Sequence, residues 1–366
     1  MKSQRRTRLA LTLAAIGAVV ALVTACQPTA VVGKASLRQP ANIPRVWDNS
    51  DPAVLTAGAK TYLYGSTNNK KVPVRQITYF TGNLEESRIH WGRYPRDAMP
   101  TKPAWVNGTR HGGTWQIWAP SVTQIGNRYV MYFSSNRSGA RDLHNDQCIG
   151  MATSSSPAGP FAPGSSPIYC GLKSEPGSNT WGRGALDPEV FKAPTGRLFL
   201  LVSLSRTKGN VGVIPLTNTG TNPGGINAAP KILVSQSQSF RNGVFLENPT
   251  MHHDPATNTY LLFYSAGDWR TGSYATGFAR CDTPQGPCAV DKRGAFLQSG
   301  SGRSGPGGMT VFTDPGGTLR VAYASWQAGH ESPRTNPGGK YSRQTHFANL
   351  IISKDSVQQN QTIRLG

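Results

Sequence analysis

Long runs of the strong helix formers alanine, leucine, glutamate and lysine are almost missing from this sequence, and only 15% of its 366 residues are charged. The composition instead contains 41 glycines and 27 prolines, which favour short strands joined by tight turns. One largely apolar run, residues 9–23, is shorter than the roughly 20 residues that a membrane-spanning helix needs. The sequence therefore predicts an all-β protein, and the apolar run needs another explanation.

Acidic residues are scarce: 18 Asp and Glu stand against 38 Lys and Arg, for a formal net charge of +20. Such a surface favours anionic neighbours such as phospholipid headgroups or acidic polymers. The basic residues are scattered, with no basic stripe and no nucleic-acid-binding motif, which argues against a nucleic acid partner. We expect the protein to work as a monomer beside an anionic cell-envelope surface.

The N-terminus has the features of an export signal, with a basic head from Lys2 to Arg8 followed by the apolar run. Small residues lead directly to Cys26, which resembles a bacterial lipoprotein cleavage site. We expect a signal peptide over residues 1–25, a lipid on Cys26, and a tether over residues 26–45 that lacks any periodicity. An ordinary secretory signal and a twin-arginine signal are the alternatives, and each of them also takes the protein out of the cytoplasm.

Cysteines are few, and their number agrees with export. With Cys26 lipidated, four of the five remain, and an oxidising compartment favours their pairing. We expect the local pairs Cys148–Cys170 and Cys281–Cys288, because each pair brackets a turn-rich segment. No pair has C-x-x-C spacing and no histidine lies at ligand spacing beside one, so the cysteines predict no metal site.

A repeat of 60 to 68 residues runs through the chain. Each copy has a proline or glycine corner, a strand, a turn, and a second strand that ends in serine, followed by a further strand. The five copies read DPAVLTAGAKTYLYGS from Asp51, APSVTQIGNRYVMYFS from Ala119, DPEVFKAPTGRLFLLVS from Asp187, ENPTMHHDPATNTYLLFYS from Glu247 and GGMTVFTDPGGTLRVAYAS from Gly307.

Five repeats of three or four short antiparallel strands predict a five-bladed β-propeller over residues 46–366. A sandwich would give no reason for a fixed period. We expect the last strand, ending near Ser353, to pair with the region around Trp47 and close the ring, which removes exposed sheet edges.

The corner residues of the repeats are the candidates for a functional site, because a propeller directs its innermost strands to one central channel. The corner residues are Asp51, Ala119, Asp187, Glu247-Asn248 and Gly308, so three of five corners are acidic in a chain poor in acids. An Asp-Pro pair can also simply cap a turn, and that is our interpretation of Asp254 and Asp314. For Asp51 and Asp187 an active site is the competing interpretation, since each opens a strand at the same blade position.

The sequence resembles glycoside hydrolase family 43, whose members are five-bladed propellers that include arabinanases, arabinofuranosidases and β-xylosidases. The resemblance covers residues 46–354 and is carried by the motifs DPAV from Asp51, WAPSV from Trp118, ALDPEVF from Ala185, LENPTM from Leu246 and SPAGPF from Ser156. By this resemblance Asp51 is the general base, Glu247 the general acid, and Asp187 the carboxylate that raises the pKa of the acid. It implies hydrolysis with inversion, in which two carboxyls act from opposite faces of the sugar.

The resemblance also bears on cofactors. Many members carry a histidine on the fifth blade that is linked to a structural Ca²⁺, whereas residues 307–309 here offer no ligand side chain. Many also have an acidic residue where this chain has Ser121. We expect no cofactor for the chemistry, and we leave a structural Ca²⁺ open.

A polysaccharide or oligosaccharide containing arabinose or xylose is the expected substrate, and Trp118 is the aromatic residue that we expect to stack on it. Two other functions remain: a lipid-anchored sugar-binding propeller without turnover, and a repeat scaffold that binds proteins on its rim. Intact Asp51, Asp187 and Glu247 favour the enzyme, since neither alternative needs acids inside the channel.

Overall fold

The computed structural model describes residues 45–46, 48–80, 90–91, 96–108, 114–138, 147–171, 184–204, 209–331, 342–354 and 361–365. The predicted signal peptide, Cys26 and most of the predicted tether lie outside this part of the chain, and so does Trp47. Within it, no helix is long and apolar enough to cross a membrane.

The first three sheets follow one another along the chain, and each is an antiparallel meander whose first main strand is innermost. Blade 1 consists of β2 (Ala53–Ala57), β3 (Lys60–Tyr64), β4 (Pro73–Tyr79), β5 (His90–Trp91) and β6 (Arg96–Asp97). Blade 2 consists of β7 (Trp118–Ile125), β8 (Arg128–Asn136), β9 (Gln147–Ser154) and β10 (Ala162–Pro163). Blade 3 consists of β11 (Ala185–Lys192), β12 (Leu198–Leu204), β13 (Asn210–Pro215) and β14 (Lys231–Val234), with a 3-10 turn at Gly225–Asn227.

The last two sheets repeat the pattern, and the fifth also takes in both ends of the described chain. Blade 4 consists of β15 (Leu246–Asp254), β16 (Thr259–Ala266), β17 (Ala275–Cys281) and β18 (Cys288–Val290). Blade 5 consists of β19 (Arg303–Thr313), β20 (Leu319–Gln327), β21 (Gln344–Lys354), β22 (Gln361–Leu365) and the N-terminal β1 (Arg45–Val46).

The five innermost strands contact one another in cyclic order, β2 with β7, β7 with β11, β11 with β15, β15 with β19, and β19 with β2. This ring confirms the predicted five-bladed β-propeller. Each blade buries apolar side chains against its neighbours; Phe80, Phe312 and Phe347, for example, pack together between blades 1 and 5. Such burial stabilises a ring of blades by roughly 25 cal/mol for each Å² removed from water.

The ring is closed by the N-terminal strand, as the sequence predicts. In β1, Arg45 pairs with His346 and Val46 with Thr345 of β21. Just beyond β1, Asn49 strengthens the junction, because its Nδ2 donates to Thr345 Oγ1 at 2.9 Å and its carbonyl accepts from the same hydroxyl. Sequence analysis did not predict β22, which pairs with the other half of β21, from Leu350 to Lys354.

Both predicted disulfides are confirmed. Cys148–Cys170 joins β9 to the segment that follows blade 2, and both of its residues are buried. Cys281–Cys288 links the paired outer strands β17 and β18 of blade 4. The two bonds enclose loops with sequence separations of 22 and 7 residues.

Candidate active site

Five equivalent backbone positions surround the channel, and we call them the first ring: Asp51, Ala119, Asp187, Asn248 and Gly308. All five have a left-handed conformation, with φ between 43° and 60°. Four of the five residues are not glycine, so this conformation costs each of them of order 1 kcal/mol or more. Strain that recurs at the same point of every blade indicates that the backbone turn there is required.

The turn is a β-bulge in blades 2 to 5. In each of these blades the first-ring residue and the residue after it together face a single residue of the partner strand. A bulge bends its strand and redirects the side chains beside it. In this fold it turns the first ring towards the axis, where the five residues and their successors line a small cavity that is partly open to solvent.

The serine that ends the second strand of a repeat forms hydrogen bonds to the first ring, which gives a reason for its recurrence. Ser66 accepts from the backbone N–H of Ala119 in the next blade at 2.9 Å, and it donates to Asp51 Oδ2 in its own blade at 2.5 Å. Ser134 and Ser265 likewise accept from the first-ring amides of the blades that follow them. The serines therefore connect neighbouring blades and fix the catalytic candidates at the same time.

Asp187 takes the place of the serine at the junction between blades 3 and 4. Its Oδ2 accepts from the backbone N–H of Asn248 at 3.1 Å and from the Ser203 hydroxyl at 3.1 Å. Both contacts favour the ionised carboxylate, whereas burial and, after it, the charge of Asp51 act more strongly in the other direction. The pKa of Asp187 is raised to about 7 as a result.

Glu247 stands one residue before the first ring, since Asn248 is the ring member of blade 4. It is directly opposite Ser265 in the sheet, and its Oε1 accepts from the hydroxyl of Tyr274 at 2.6 Å. The same hydroxyl lies 2.9 Å from Asn248 Oδ1. Tyr274 is buried and belongs to the segment that joins β16 to β17.

Burial raises the pKa of Glu247 most, and the negative charge of Asp187 raises it further, to about 8. The Tyr274 hydroxyl and the Arg343 guanidinium act in the opposite direction. Both carboxyl residues are partly exposed; Asp187 lines the cavity, whereas Glu247 lies beside it and is not among the lining residues. The site therefore contains a carboxyl group that holds its proton at neutral pH and can donate it.

Arg343 packs against the Tyr274 ring and is held in place by backbone carbonyls of blade 5. Its guanidinium donates to the carbonyls of Gly305 at 2.9 Å and Ala324 at 2.7 Å, and it lies 5.2 Å from the centre of the Tyr274 ring. Gly307 makes room for that ring, since a Cβ at this position would come within 2.2 Å of it. The glycine corner of blade 5, which offers no ligand, is thus needed for Tyr274 to reach Glu247.

A second ring lies two residues after the first and consists of Ala53, Ser121, Glu189, Thr250 and Thr310. Glu189 Oε1 is 3.3 Å from Thr310 Oγ1 and 3.5 Å from Thr250 Oγ1, and Ser121 also hydrogen-bonds to the carboxyl. Burial raises the pKa of Glu189 to about 7 in spite of these contacts. One carboxyl therefore joins inner strands of four blades.

The second ring does not fit a Ca²⁺ ion well. Calcium takes six to eight oxygen ligands, commonly from several carboxylates and carbonyls. This ring has one carboxyl and three hydroxyls that already contact it, and in the part of the chain described here no three His, Cys, Asp or Glu side chains form a group that could hold a metal. We derive no step of the chemistry through a metal.

Trp118 comes immediately before Ala119 of the first ring, and its Nε1 donates to Gln116 Oε1 at 3.0 Å. It is not among the residues that line the cavity. Its role in substrate binding stays a prediction. The two aspartates that we interpreted as turn caps are such caps, because Asp254 accepts from the amide of Ala256 and Asp314 from the amide of Gly316.

Sequence analysis missed Tyr274, Arg343 and Glu189. Tyr274 and Arg343 lie in segments between strands and outside the repeat motifs, so no spacing points to them. Glu189 lies only two residues after the acidic corner Asp187, and it lines the same cavity.

The fold and the acidic channel define a β-propeller whose centre is equipped for proton transfer by carboxyl groups. The family model described as "Glycosyl hydrolases family 43" matches residues 46–357. The chain therefore belongs to glycoside hydrolase family 43, as the sequence resemblance implied. No curated protein gives a significant sequence match.

Solved structures share the fold at low identity. A thermostable family-43 glycoside hydrolase is 22% identical with a TM-score of 0.65, and the match covers 87% of this chain and 94% of that one. An endo-1,5-α-L-arabinanase from Thermotoga petrophila is 19% identical with a TM-score of 0.62, covering 88% and 75%. An endo-1,4-β-xylanase from Bacteroides thetaiotaomicron is 19% identical with a TM-score of 0.61, covering 88% and 96%.

Proposed function

We propose that this protein hydrolyses O-glycosidic bonds in arabinose- or xylose-containing polysaccharides or oligosaccharides, with inversion of the anomeric carbon. The observation that carries the proposal is that Glu247, a carboxyl that keeps its proton at neutral pH, lies close enough to Asp51 of the channel lining for the charge of Asp51 to raise its pKa. Family membership supports glycosidase chemistry, and the similar structures include both an arabinanase and a xylanase.

Glu247 acts as the general acid. A sugar alkoxide is a poor leaving group, so bond cleavage requires a proton on the glycosidic oxygen as the bond breaks. Tyr274 donates to Oε1 of Glu247, which leaves Oε2 to carry the proton towards the substrate. After transfer, the same hydroxyl stabilises the carboxylate that forms, since hydrogen bonds to charged acceptors are the stronger ones.

Asp51 acts as the general base. Ser66 donates to its Oδ2 and thereby fixes the orientation of the carboxylate, while Oδ1 lies near the open surface of Gly308. An ideal Cβ at Gly308 would be 3.4 Å from Oδ1, so the glycine keeps the space beside the carboxylate free. A water molecule in that space can lose a proton to Asp51 as it attacks the anomeric carbon.

Asp187 acts on Glu247 through its charge. Two buried carboxyls close together cannot both ionise without cost, so the proton is held by the pair over a wider pH range. Asp187 accepts two hydrogen bonds that favour its ionised form, whereas Glu247 accepts one. We therefore assign the shared proton to Glu247 in the active state, and we propose that no metal ion or other cofactor takes part.

The activity is tested with aryl α-L-arabinofuranoside, aryl β-D-xylopyranoside, arabinan and arabinoxylan. Release of sugar from at least one of them by the wild-type protein supports the proposal, and release from the polymers arabinan or arabinoxylan should be lost in Glu247→Gln. Nuclear magnetic resonance of the first-formed anomer checks the stereochemistry, and a retained configuration would contradict the role of Asp51 as a base. Binding of these polymers without turnover would favour the sugar-binding alternative.

We further propose export and lipidation at Cys26, on the grounds of the N-terminal sequence alone. A membrane anchor would place this strongly basic protein beside anionic headgroups, and a polysaccharide substrate outside the cytoplasm suits that position. Metabolic labelling with a radioactive fatty acid, with Cys26→Ser as the control, tests the anchor. Label that persists in the variant would contradict it.

A further inference from the structure

Trp269 is unusually exposed for a large aromatic side chain. It belongs to residues 267–274, which join β16 to β17, and 41% of its surface is accessible. Among the described residues only Ile232, on the outer strand β14, is a large hydrophobic residue of comparable exposure, at 42%. An exposed indole is unremarkable by itself, so its position and its rigidity decide what it means.

The indole is held in one orientation. Its ring stacks on Trp326 of blade 5, with centroids 6.1 Å apart and planes inclined by 16°. Its backbone carbonyl accepts from Trp326 Nε1 at 2.7 Å and from Arg343 Nη1 at 3.2 Å. Trp326 and Arg343 are both buried, so the exposed ring rests on a fixed support.

Trp269 is connected to the candidate general acid, Glu247, through Tyr274 and Arg343. Glu247 pairs with Ser265 near the end of β16, at the same end of blade 4 as the segment 267–274. That segment ends at Tyr274, whose hydroxyl bonds to Glu247. Arg343 contacts both the Trp269 carbonyl and the Tyr274 ring. The segment that carries the exposed indole thus lies at the same end of blade 4 as the candidate acid.

A rigid, flat and half-exposed indole near the candidate acid suits a sugar ring as its ligand. A pyranose or furanose ring has an apolar face of C–H groups, and such a face stacks on an aromatic ring without needing a charged partner. Because one face of the Trp269 ring stacks on Trp326, a sugar ring would stack on the opposite face. The orientation is set in advance, so little side-chain entropy is lost on binding.

We infer that Trp269 forms a sugar-binding subsite next to the bond that is cleaved, where it stacks on a neighbouring unit of the oligosaccharide. This inference rests on the proposed function for the identity of the reaction, although binding can be measured without turnover. It predicts that the protein gains affinity or rate from substrate length, and that Trp269 supplies part of this gain.

The test compares disaccharides with pentasaccharides of the α-1,5-arabinan and β-1,4-xylan series. For the wild-type protein kcat/KM should rise from the disaccharide to the pentasaccharide. In Trp269→Ala this rise should shrink by about tenfold, the size of effect that one lost aromatic stacking contact can have. Trp269→Phe should keep most of the rise, and Ile232→Ala, which removes the other exposed hydrophobic side chain, should behave as wild type.

Calorimetric titration of the same proteins with the two pentasaccharides separates this inference from the proposed function. If the wild-type protein turns over and Trp269→Ala keeps the full length dependence, the subsite is wrong and the enzyme stands. If no protein turns over but Trp269→Ala alone loses binding, the subsite stands and the enzyme is wrong. If neither pentasaccharide binds or reacts, both fail. Thermal unfolding of each variant identifies any that are misfolded, and Trp269→Phe then carries the test.

Discussion

Tyr274 donates a hydrogen bond of 2.6 Å to Glu247 and places the same hydroxyl 2.9 Å from Asn248 Oδ1. One hydroxyl has one proton, so its preferred acceptor depends on whether Glu247 is ionised. With the carboxylate formed, the charged acceptor is the stronger one. Tyr274 is therefore a positioning residue that acts through Glu247, and its loss should alter the acidity of Glu247.

The first prediction concerns Tyr274→Phe. The hydroxyl favours the ionised form of Glu247 and so lowers its pKa against the effects that raise it. Removing it should raise that pKa, and the alkaline limb of the kcat/KM profile should move to higher pH. Glu247 also becomes a weaker acid, so kcat on natural glycosides should fall by roughly tenfold or more. A fall in rate with an unmoved pH profile would indicate a merely structural role.

The second prediction concerns Asp187→Asn, which keeps the shape and removes the charge. Asp187 raises the pKa of Glu247, so the variant should lose the proton of Glu247 at lower pH. The alkaline limb should therefore move to lower pH, opposite to the shift in Tyr274→Phe. The two variants are controls for each other, since a general loss of folding would not produce shifts of opposite sign. Shifts in the same direction would contradict the assignment.

The third prediction separates acid from base. Glu247→Gln should slow hydrolysis of natural glycosides by about 10²–10⁴-fold, the usual worth of general acid catalysis. The phenolate of an aryl glycoside with an acidic phenol departs without a proton, so the hydrolysis rate of that substrate should fall far less. Asp51→Asn removes activation of water, which every substrate needs, and should slow both alike. Equal losses on both substrates in Glu247→Gln would rule out its role as the acid.

The fourth prediction concerns stability and Glu189. Burial raises the pKa of Glu189 to about 7, above the 4.5 of an exposed glutamate. Between these two values the folded protein binds a proton that the unfolded chain does not, so the free energy of unfolding should fall as the pH rises from about 4.5 to 7. Glu189→Gln should reduce this slope, and denaturant unfolding at pH 5 and pH 8 measures the difference.

The control for Glu189→Gln is the active-site variant Asp187→Asn. The raised pKa values of Asp187 and Glu247 also make the free energy of unfolding fall as the pH rises. Asp187→Asn should reduce the slope and change the pH–rate profile together, whereas Glu189→Gln should change mainly the slope. If the slope of Glu189→Gln equals that of the wild-type protein, the carboxyl does not hold its proton in the folded state.

The fifth prediction concerns the disulfides. Chain entropy makes the bond Cys148–Cys170, with its separation of 22 residues, worth about 3 kcal/mol, and the bond Cys281–Cys288, with its separation of 7, about 2 kcal/mol. Replacing Cys148 and Cys170 by serine should therefore lower the free energy of unfolding more than replacing Cys281 and Cys288. Denaturant unfolding of the two double variants compares them directly, and the reverse order would contradict the chain-entropy account.

Much of this fold could be predicted because the sequence pattern of one blade recurs five times. A corner, a hairpin and a serine recur at a nearly constant spacing, and each copy needs neighbours to bury its apolar faces. Closure by the N-terminus follows from the same logic, since an open ring would leave sheet edges unpaired. The strand β22 carries no repeat motif and pairs only with β21, so no pattern predicted it.

The sequence by itself determined the five blades, the two disulfides and the placement of Asp51 and Asp187 at equivalent positions around one axis. These features depend on local periodicity and on loops of short separation. Only the tertiary structure decided that Asn248 completes the first ring while Glu247 precedes it, and that Tyr274 and Arg343 surround the acid. It also brought Trp269 of blade 4 onto Trp326 of blade 5. These contacts join residues far apart in the chain through bulges and connecting segments, and their geometry is set by the packing of whole blades, which no spacing in the sequence records.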